Sequence, residues 1–237
     1  MPIKALSFDV FGTVVDWRGS IARESASFLA RIDRMDVDPF AFADAWRARY
    51  QPAMAAVTKG ERPFVVLDVL HREMLEDALR AHGVEAGKLD EALLADWTRA
   101  WHRLDPWPDA VAGLTRLKAH FPIVTLSNGN IALIVAMARR AKLPWDAVLG
   151  AEVTRAYKPD RQAYLGTAAA IGVAPEELCH VAAHHSDLAA ARSHGLRTAY
   201  VHRAMEYGGA PAPDAKAAQD WDHEVDSLTA LADALNA

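Results

Sequence analysis

Short apolar runs that end on polar residues alternate with stretches of helical period along most of this chain. The runs IKALSFD (3–9), IVTLSN (123–128), AVLGAE (147–152), LCHVAAH (178–184) and RTAYVHR (197–203) predict buried strands. Helical patterns lie between most of them. In PDAVAGLTRLKAHF, Asp109 stands where an N-cap belongs, and Val111, Leu114 and Leu117 recur at three-residue steps. The stretch DLAAARSHG ends on Gly195, placed as the glycine just past a helix. Strand, helix and strand in alternation predict an α/β fold, with a Rossmann-like parallel sheet covered by helices on both faces. Ligands gather at the carboxyl ends of such strands. Asp9, Ser127, Asn128 and Asp187 all fall at or just after a predicted strand end.

The alternation stops between residues 16 and 104. SIARESASFLARI, AFADAWRARYQPAM, VVLDVLHREMLEDALRAHG and LDEALLADWTRAWHRL are helical in pattern, with little strand. This interval is expected to be a helical cap inserted into an α/β core made of 1–15 and 105–237. DPWPD (105–109) reads as a stiff return hinge, because proline fixes its backbone angle. YGGAPAPDAK (207–216) reads as a loop.

Composition narrows the function classes. The chain of 237 residues is 51% hydrophobic and 24% charged, enough for one sizeable core and a smaller second unit. A net charge of −5 gives no basic face for nucleic acid. Cys179 is the only cysteine, so no intrachain disulfide can form and a reducing, cytoplasmic setting is expected. The longest clean apolar run, IALIVAMA (131–138), is too short to span a bilayer. No membrane segment is expected.

Four polar signals carry the candidate chemistry. In FDVFGT, Asp9 is ionised at neutral pH and can act as a nucleophile without a base. Gly12 permits a tight turn, and Thr13 can hold the carboxylate by a hydrogen bond. LSNG offers Ser127 and Asn128 as donors to an anionic substrate. In YKPD, Lys158 precedes a proline and is kept out of helix; a lysine there can orient Asp9 and bind an anion. In VAAHHSDLAAAR, Asp187 opens a helix. Each signal alone has a plain structural reading: a helix cap, a polar turn, a solvated lysine. Their joint order along one sheet argues for a site.

This set resembles the haloacid dehalogenase superfamily, and within it the type II 2-haloacid dehalogenases, from about residue 3 to about residue 230. The assignment to type II rests on Phe11, on Arg47 in AWRARY and on Tyr164 in YKPDRQAY. The resemblance implies catalytic roles for Asp9, Thr13, Lys158, Tyr164 and Asp187. It implies substrate contacts from Val10, Phe11, Arg47, Ser127 and Asn128, no cofactor or metal, and a homodimer. The fourth motif departs from the usual serine and asparagine: Ala182, Ala183 and His184 stand there. His184 could replace the amide as a donor, or be a strand-end histidine satisfied by backbone. His185 reads as structural. Trp17 and Arg18 either enter the pocket or seal the cap against the core.

Phe11 decides between chemistries. Superfamily phosphatases carry a second aspartate at this place to protonate an alkoxide leaving group, and they gather oxygen ligands for Mg²⁺. A halide leaves carbon unprotonated, so the reaction needs a nucleophilic carboxylate and cationic or N–H groups where the halide charge develops. Arg47 has that chemistry. The expected activity is hydrolysis of short (S)-2-haloacids to (R)-2-hydroxyacids through an ester on Asp9. For the harder fluoride leaving group, Arg47, His184 and Trp46 could form part of a donor-rich pocket. Alternatives are attack on another small electrophile such as a strained-ring acid, a phosphatase with a different general acid, and a non-enzymatic binder.

Overall fold

The computed structural model describes residues 2–237. Five parallel strands form the central sheet: β1 (Ala5–Phe8), β4 (Ile123–Thr125), β5 (Leu178–Ala182), β6 (Arg197–Val201) and β7 (His223–Val225), in the order β4-β1-β5-β6-β7. A two-stranded antiparallel ribbon, β2 (Val15–Asp16) and β3 (Asp105–Pro106), stands apart from it. Helices α1 (Trp17–Arg31), α2 (Pro39–Ala48), α3 (Tyr50–Thr58), α4 (Leu67–Ala81) and α5 (Glu91–Thr98) lie in the interval between the ribbon strands. The rest are α6 (Ala110–Lys118), α7 (Ile131–Ala141), α8 (Ala151–Thr154), α9 (Arg161–Ala170), α10 (His185–Ser193) and α11 (Leu228–Ala234). Among the described residues, no helix is long and apolar enough to cross a membrane.

Register places the site. Phe8 pairs with Thr125 on one side and Val181 on the other. The residues that follow, Asp9, Ser127–Asn128 and Ala183–His184, therefore leave the same edge of the sheet. Every residue of β1 and β5 is buried, as expected for strands covered on both faces.

The structure departs from the sequence reading at four places. Residues 147–152 do not form a strand; they make only isolated bridges, Ala147 to Val124 and Gly150 to Ser127. The Thr125 hydroxyl donates to the Leu149 carbonyl and accepts from the Leu149 N–H, which replaces a ladder rung with a side chain. Gly150 then turns at φ 132° into α8, and a Cβ there would lie 2.1 Å from the Ser127 carbonyl oxygen. Asp109 precedes α6 but makes no capping bond within it. Its carboxylate instead accepts from Arg203 Nη1 at 2.7 Å and Nη2 at 3.0 Å, and from the Leu228 N–H at 2.7 Å, which opens α11. Strand β7 was missed because its residues are only half-covered and a single valine carries the pattern. DPWPD does more than turn: Asp105 and Pro106 pair with Asp16 and Val15, and Trp107 donates to the Val14 and Gly12 carbonyls. Gly195 holds φ 88° just past α10, as the sequence predicts.

The helices between the ribbon strands share a core of aromatic rings. Phe28 and Phe42 each stack on Trp97 with centroids 5.1 Å apart, and Trp46 meets Trp101 edge-on at 5.6 Å. Trp101 also meets Phe11 edge-on at 5.8 Å, so this core continues into the loop after β1.

Replacing Asp109 with asparagine removes the charge opposite Arg203, whose side chain is 7% exposed. A loss of about 2–3 kcal/mol in unfolding free energy is expected from urea titration at neutral pH. Burial works to raise the Asp109 pKa, but Arg203 and the Leu228 N–H lower it overall. Its contribution is therefore complete above the ordinary aspartate value and fades as pH falls through the lowered one. The difference between wild type and variant should shrink in acid; a constant difference would contradict this assignment.

Candidate active site

Asp9 leaves β1 and immediately enters a turn closed by the Val14 and Val15 N–H groups on the Val10 carbonyl. The residue is 7% exposed. Oδ1 accepts from Lys158 Nζ at 2.9 Å. Oδ2 accepts from the Thr13 hydroxyl at 2.7 Å and lies 3.2 Å from His184 Nδ1. Thr13 in turn accepts from the Ala183 N–H at 2.9 Å, tying the loop after β1 to the loop after β5.

Lys158 Nζ also reaches Asp187 Oδ2, at 2.5 Å. One ammonium thus bridges two buried carboxylates. Burial alone would strip its proton, but Asp187 and Asp9 overcome that and raise its pKa. Burial would likewise protonate both carboxylates. Lys158, with His184 at Asp9 and His180 at Asp187, holds them well below the usual range. Asp187 is further fixed by the Tyr164 hydroxyl at 2.6 Å and by His180 Nε2 at 3.1 Å. Ser7 holds the far nitrogen of His180 at 3.0 Å. Asn128 Oδ1 accepts from the Lys158 N–H at 2.8 Å, and its amide donates to Met54 Sδ at 3.2 Å. Ser127 accepts from the Gly129 N–H.

Arg47 enters from α2. Its guanidinium carbon lies 4.0 Å from the Tyr50 ring centre and 5.3 Å from that of Trp17. Nη1 is buried and without a hydrogen-bond partner. Nearby, His71 stacks on Trp101 at 4.4 Å; both His71 nitrogens and the Trp101 indole N–H are also unpartnered. Burial drops the His71 pKa to about 3, so the ring is neutral. Phe11, 2% exposed, packs against both rings.

The structure brings together Asp9, Thr13, Lys158, Tyr164, Asp187 and His184, with Asn128 and Ser127 on the same rim. Val10 is wholly buried and its carbonyl is engaged in the turn, so its side chain belongs to the core. The Trp46 indole N–H donates to the His71 carbonyl at 3.1 Å and is not a free pocket donor, contrary to expectation. Arg18 forms a bidentate pair with Asp44 between α1 and α2, so it seals helices rather than entering the site. His185 accepts from the Trp221 indole and stacks on Tyr200, a structural role.

Sequence reasoning missed Glu206. It is 1% exposed, accepts from the Trp17 indole N–H at 3.0 Å, and faces His184 Nε2 at 2.9 Å. A Cβ on Gly12 would lie 2.1 Å from its Oε1. Gly12 therefore serves the turn and also leaves room for this carboxylate. That glycine was the only available signal, because Glu206 borders a loop-like stretch with no periodicity. His180 was missed for a related reason: inside a buried strand it reads as core.

A divalent cation does not fit this donor set. The space between Asp9 and Asp187 is held by the Lys158 ammonium, the other Asp9 oxygen faces Thr13 and His184, and position 11 offers a phenyl ring. Among the described residues, no group of three His, Cys, Asp or Glu side chains is arranged to hold a metal.

Comparison with known proteins agrees with the geometry. The profile described as haloacid dehalogenase-like hydrolase matches residues 3–195. The chain belongs to this family. Among curated relatives, (S)-2-haloacid dehalogenase 4A of Burkholderia cepacia is 29% identical over 236 residues, covering 97% of this chain and 93% of its own. Among solved structures, a defluorinating L-2-haloacid dehalogenase is 48% identical with a TM-score of 0.96, covering 99% of this chain and 96% of its own. The L-2-haloacid dehalogenase of Xanthobacter autotrophicus, solved with chloropropionic acid covalently bound, is 26% identical with a TM-score of 0.80, covering 99% and 98%.

Lys158→Met should leave Asp9 and Asp187 facing each other without their shared cation. One of the pair should then keep its proton into the range of about pH 5–7. Carboxyl-carbon NMR titration checks this: wild type should show neither group titrating above about pH 3, and an unchanged titration in the variant would remove Lys158 from its assigned role.

Proposed function

We propose that this protein is a hydrolase of carbon–halide bonds that converts short (S)-2-haloacids to (R)-2-hydroxyacids and halide. The observation that carries the reading is the pair of buried carboxylates bridged by Lys158, with Phe11 where a phosphatase needs a second acid. Relatives named for this activity match from end to end.

Asp9 Oδ1 has one partner and Oδ2 has two, so Oδ1 keeps a lone pair for attack. It displaces the halide in line from C2, with inversion: the Oδ1–C2 bond forms as the C2–halogen bond breaks. Arg47 Nη1, desolvated and unpartnered, receives the departing anion. Ser127 and Asn128 face the substrate carboxylate, and Phe11 lines the alkyl side. Water then attacks the ester at the Asp9 carbonyl carbon. Asp187 takes one of its protons, the Asp9–alkoxide bond breaks, and the proton left on the Asp9 carboxyl passes to the alkoxide to free the hydroxyacid. Asp9 loses its charge when it is alkylated, so Lys158 is then left with Asp187 alone and fixes it beside the water. Tyr164 and His180 keep Asp187 oriented.

In this reading residues 16–104 are a cap that carries Arg47 over the core formed by 1–15 and 105–237. The β2–β3 ribbon supports that division, since it joins the two ends of the interval. A homodimer is part of the proposal by family resemblance, and so is a cytoplasmic location, which the single buried cysteine supports.

Halide release from (S)-2-chloropropionate in excess chelator tests the reading. Turnover should persist, and Asp9→Asn should abolish it. Arg47→Lys should lower kcat/KM by about 100-fold, because a lysine cannot reproduce the planar donor set. Absence of halide release together with Mg²⁺-dependent phosphatase activity would end the proposal.

A further inference from the structure

The reaction above gives His184 a neighbour it does not use. Glu206 comes from the loop after β6, far from every motif, yet the residue is 1% exposed. It faces His184 Nε2 through both oxygens, at 2.9 and 3.2 Å, and is anchored by the Trp17 indole at 3.0 Å. The opposite edge of the same imidazole, Nδ1, lies 3.2 Å from Asp9 Oδ2. Gly12 at φ 85° supplies the space this carboxylate occupies. A buried carboxylate is costly without partners. Here it has two, and one of them touches the nucleophile.

We propose that Glu206 is a positioning residue for ester hydrolysis: it holds His184 with Nδ1–H aimed at Asp9 Oδ2, so that His184 and Thr13 form the oxyanion site of the second half-reaction. This rests on the ester mechanism proposed above. Oδ1 becomes the ester oxygen bound to C2, and Oδ2 becomes the carbonyl oxygen. Water adds to the carbonyl carbon, one water proton goes to Asp187, and the C=O π pair moves onto Oδ2. The Thr13 hydroxyl, 2.7 Å from Oδ2, and the His184 ring stabilise that charge. When the tetrahedral adduct collapses, the bond to the alkoxide breaks. The proton left on the Asp9 carboxyl passes to the alkoxide, and the proton on Asp187 goes to solvent. The products are the hydroxyacid and the free Asp9 carboxylate.

The charge environment agrees with this geometry. Burial alone would discharge His184, but Glu206 and Asp9 raise its pKa well above the ordinary value. The ring can then present an N–H to each carboxylate at once. Ester formation calls on it less, because Oδ2 carries growing charge only during hydrolysis. A fixed donor aimed at that atom accelerates the hydrolytic step selectively.

Rapid-quench mass spectrometry of Glu206→Gln, following both the covalent adduct on Asp9 and halide release from (S)-2-chloropropionate, tests the assignment. Glutamine keeps the shape and removes the charge. The halide burst should keep a rate near that of wild type, while ester decay slows by about tenfold or more, so adduct accumulates. Glu206→Asp should recover part of the decay rate. If Glu206→Gln fails to fold, His184→Phe, which keeps a ring but removes the donor, reads the same split, with adduct again accumulating. An adduct that never accumulates in a folded variant, with both steps slowed equally, overturns the positioning role while wild-type halide release stands. Wild type that forms no adduct and releases no halide overturns the parent mechanism instead.

Discussion

Two carboxylates remain charged inside this protein chiefly because one ammonium lies between them, with a histidine beside each. Lys158 Nζ, 2.9 Å from Asp9 and 2.5 Å from Asp187, offsets a burial cost that would otherwise protonate one of the pair. Much of the surrounding architecture keeps that ammonium in place. Asn128, in the loop after β4, accepts from the Lys158 backbone N–H. Tyr164 from α9 holds Asp187 Oδ1 and His180 from β5 holds Oδ2, which orients the carboxylate and leaves Oδ1 a free lone pair. Thr13 links the loops after β1 and β5. The parallel sheet matters to the chemistry mainly because its register delivers these loops to one rim.

The same arrangement explains what the site is suited to attack. A nucleophile held ionised by a neighbouring cation needs no base, and a leaving group that departs as a stable anion needs no acid. In the proposed reaction a buried phenyl ring at position 11, with no proton to give, is then no handicap. The donors left free, the Arg47 guanidinium foremost, lie among Trp17, Tyr50 and Trp101 in surroundings with little water to compete. His184 and Glu206 add a second layer of charge behind Asp9, opposite Lys158. The nucleophile is thus gripped on both oxygens by different parts of the fold.

Much of the core of this picture was legible in the sequence. Strands β1, β4, β5 and β6 announce themselves as apolar runs, and the motif residues sit at their ends, where the parallel sheet must place them. Residues whose role arises from tertiary contact were not legible. Glu206 lies between two stretches of loop, and nothing local says that its carboxylate turns inward beneath Gly12. His180 looks like any strand residue until Ser7 and Asp187 are seen at its two nitrogens. Trp46 was misjudged because a tryptophan beside Arg47 suggests a pocket donor, whereas its indole is bonded to the His71 backbone. Residues 147–152 have the composition of a strand, but the Thr125 side chain intercepts their backbone.

The central claim is that an oxygen of Asp9 bonds to substrate carbon. It is tested most directly by a single turnover in ¹⁸O-water, with enzyme in excess over (S)-2-chloropropionate, followed by mass analysis of the Asp9 peptide and the product. The account predicts one labelled oxygen in the Asp9 carboxylate and an unlabelled hydroxyl in the product. Label in the product hydroxyl, with none in Asp9, would mean that water attacks carbon directly and would contradict it.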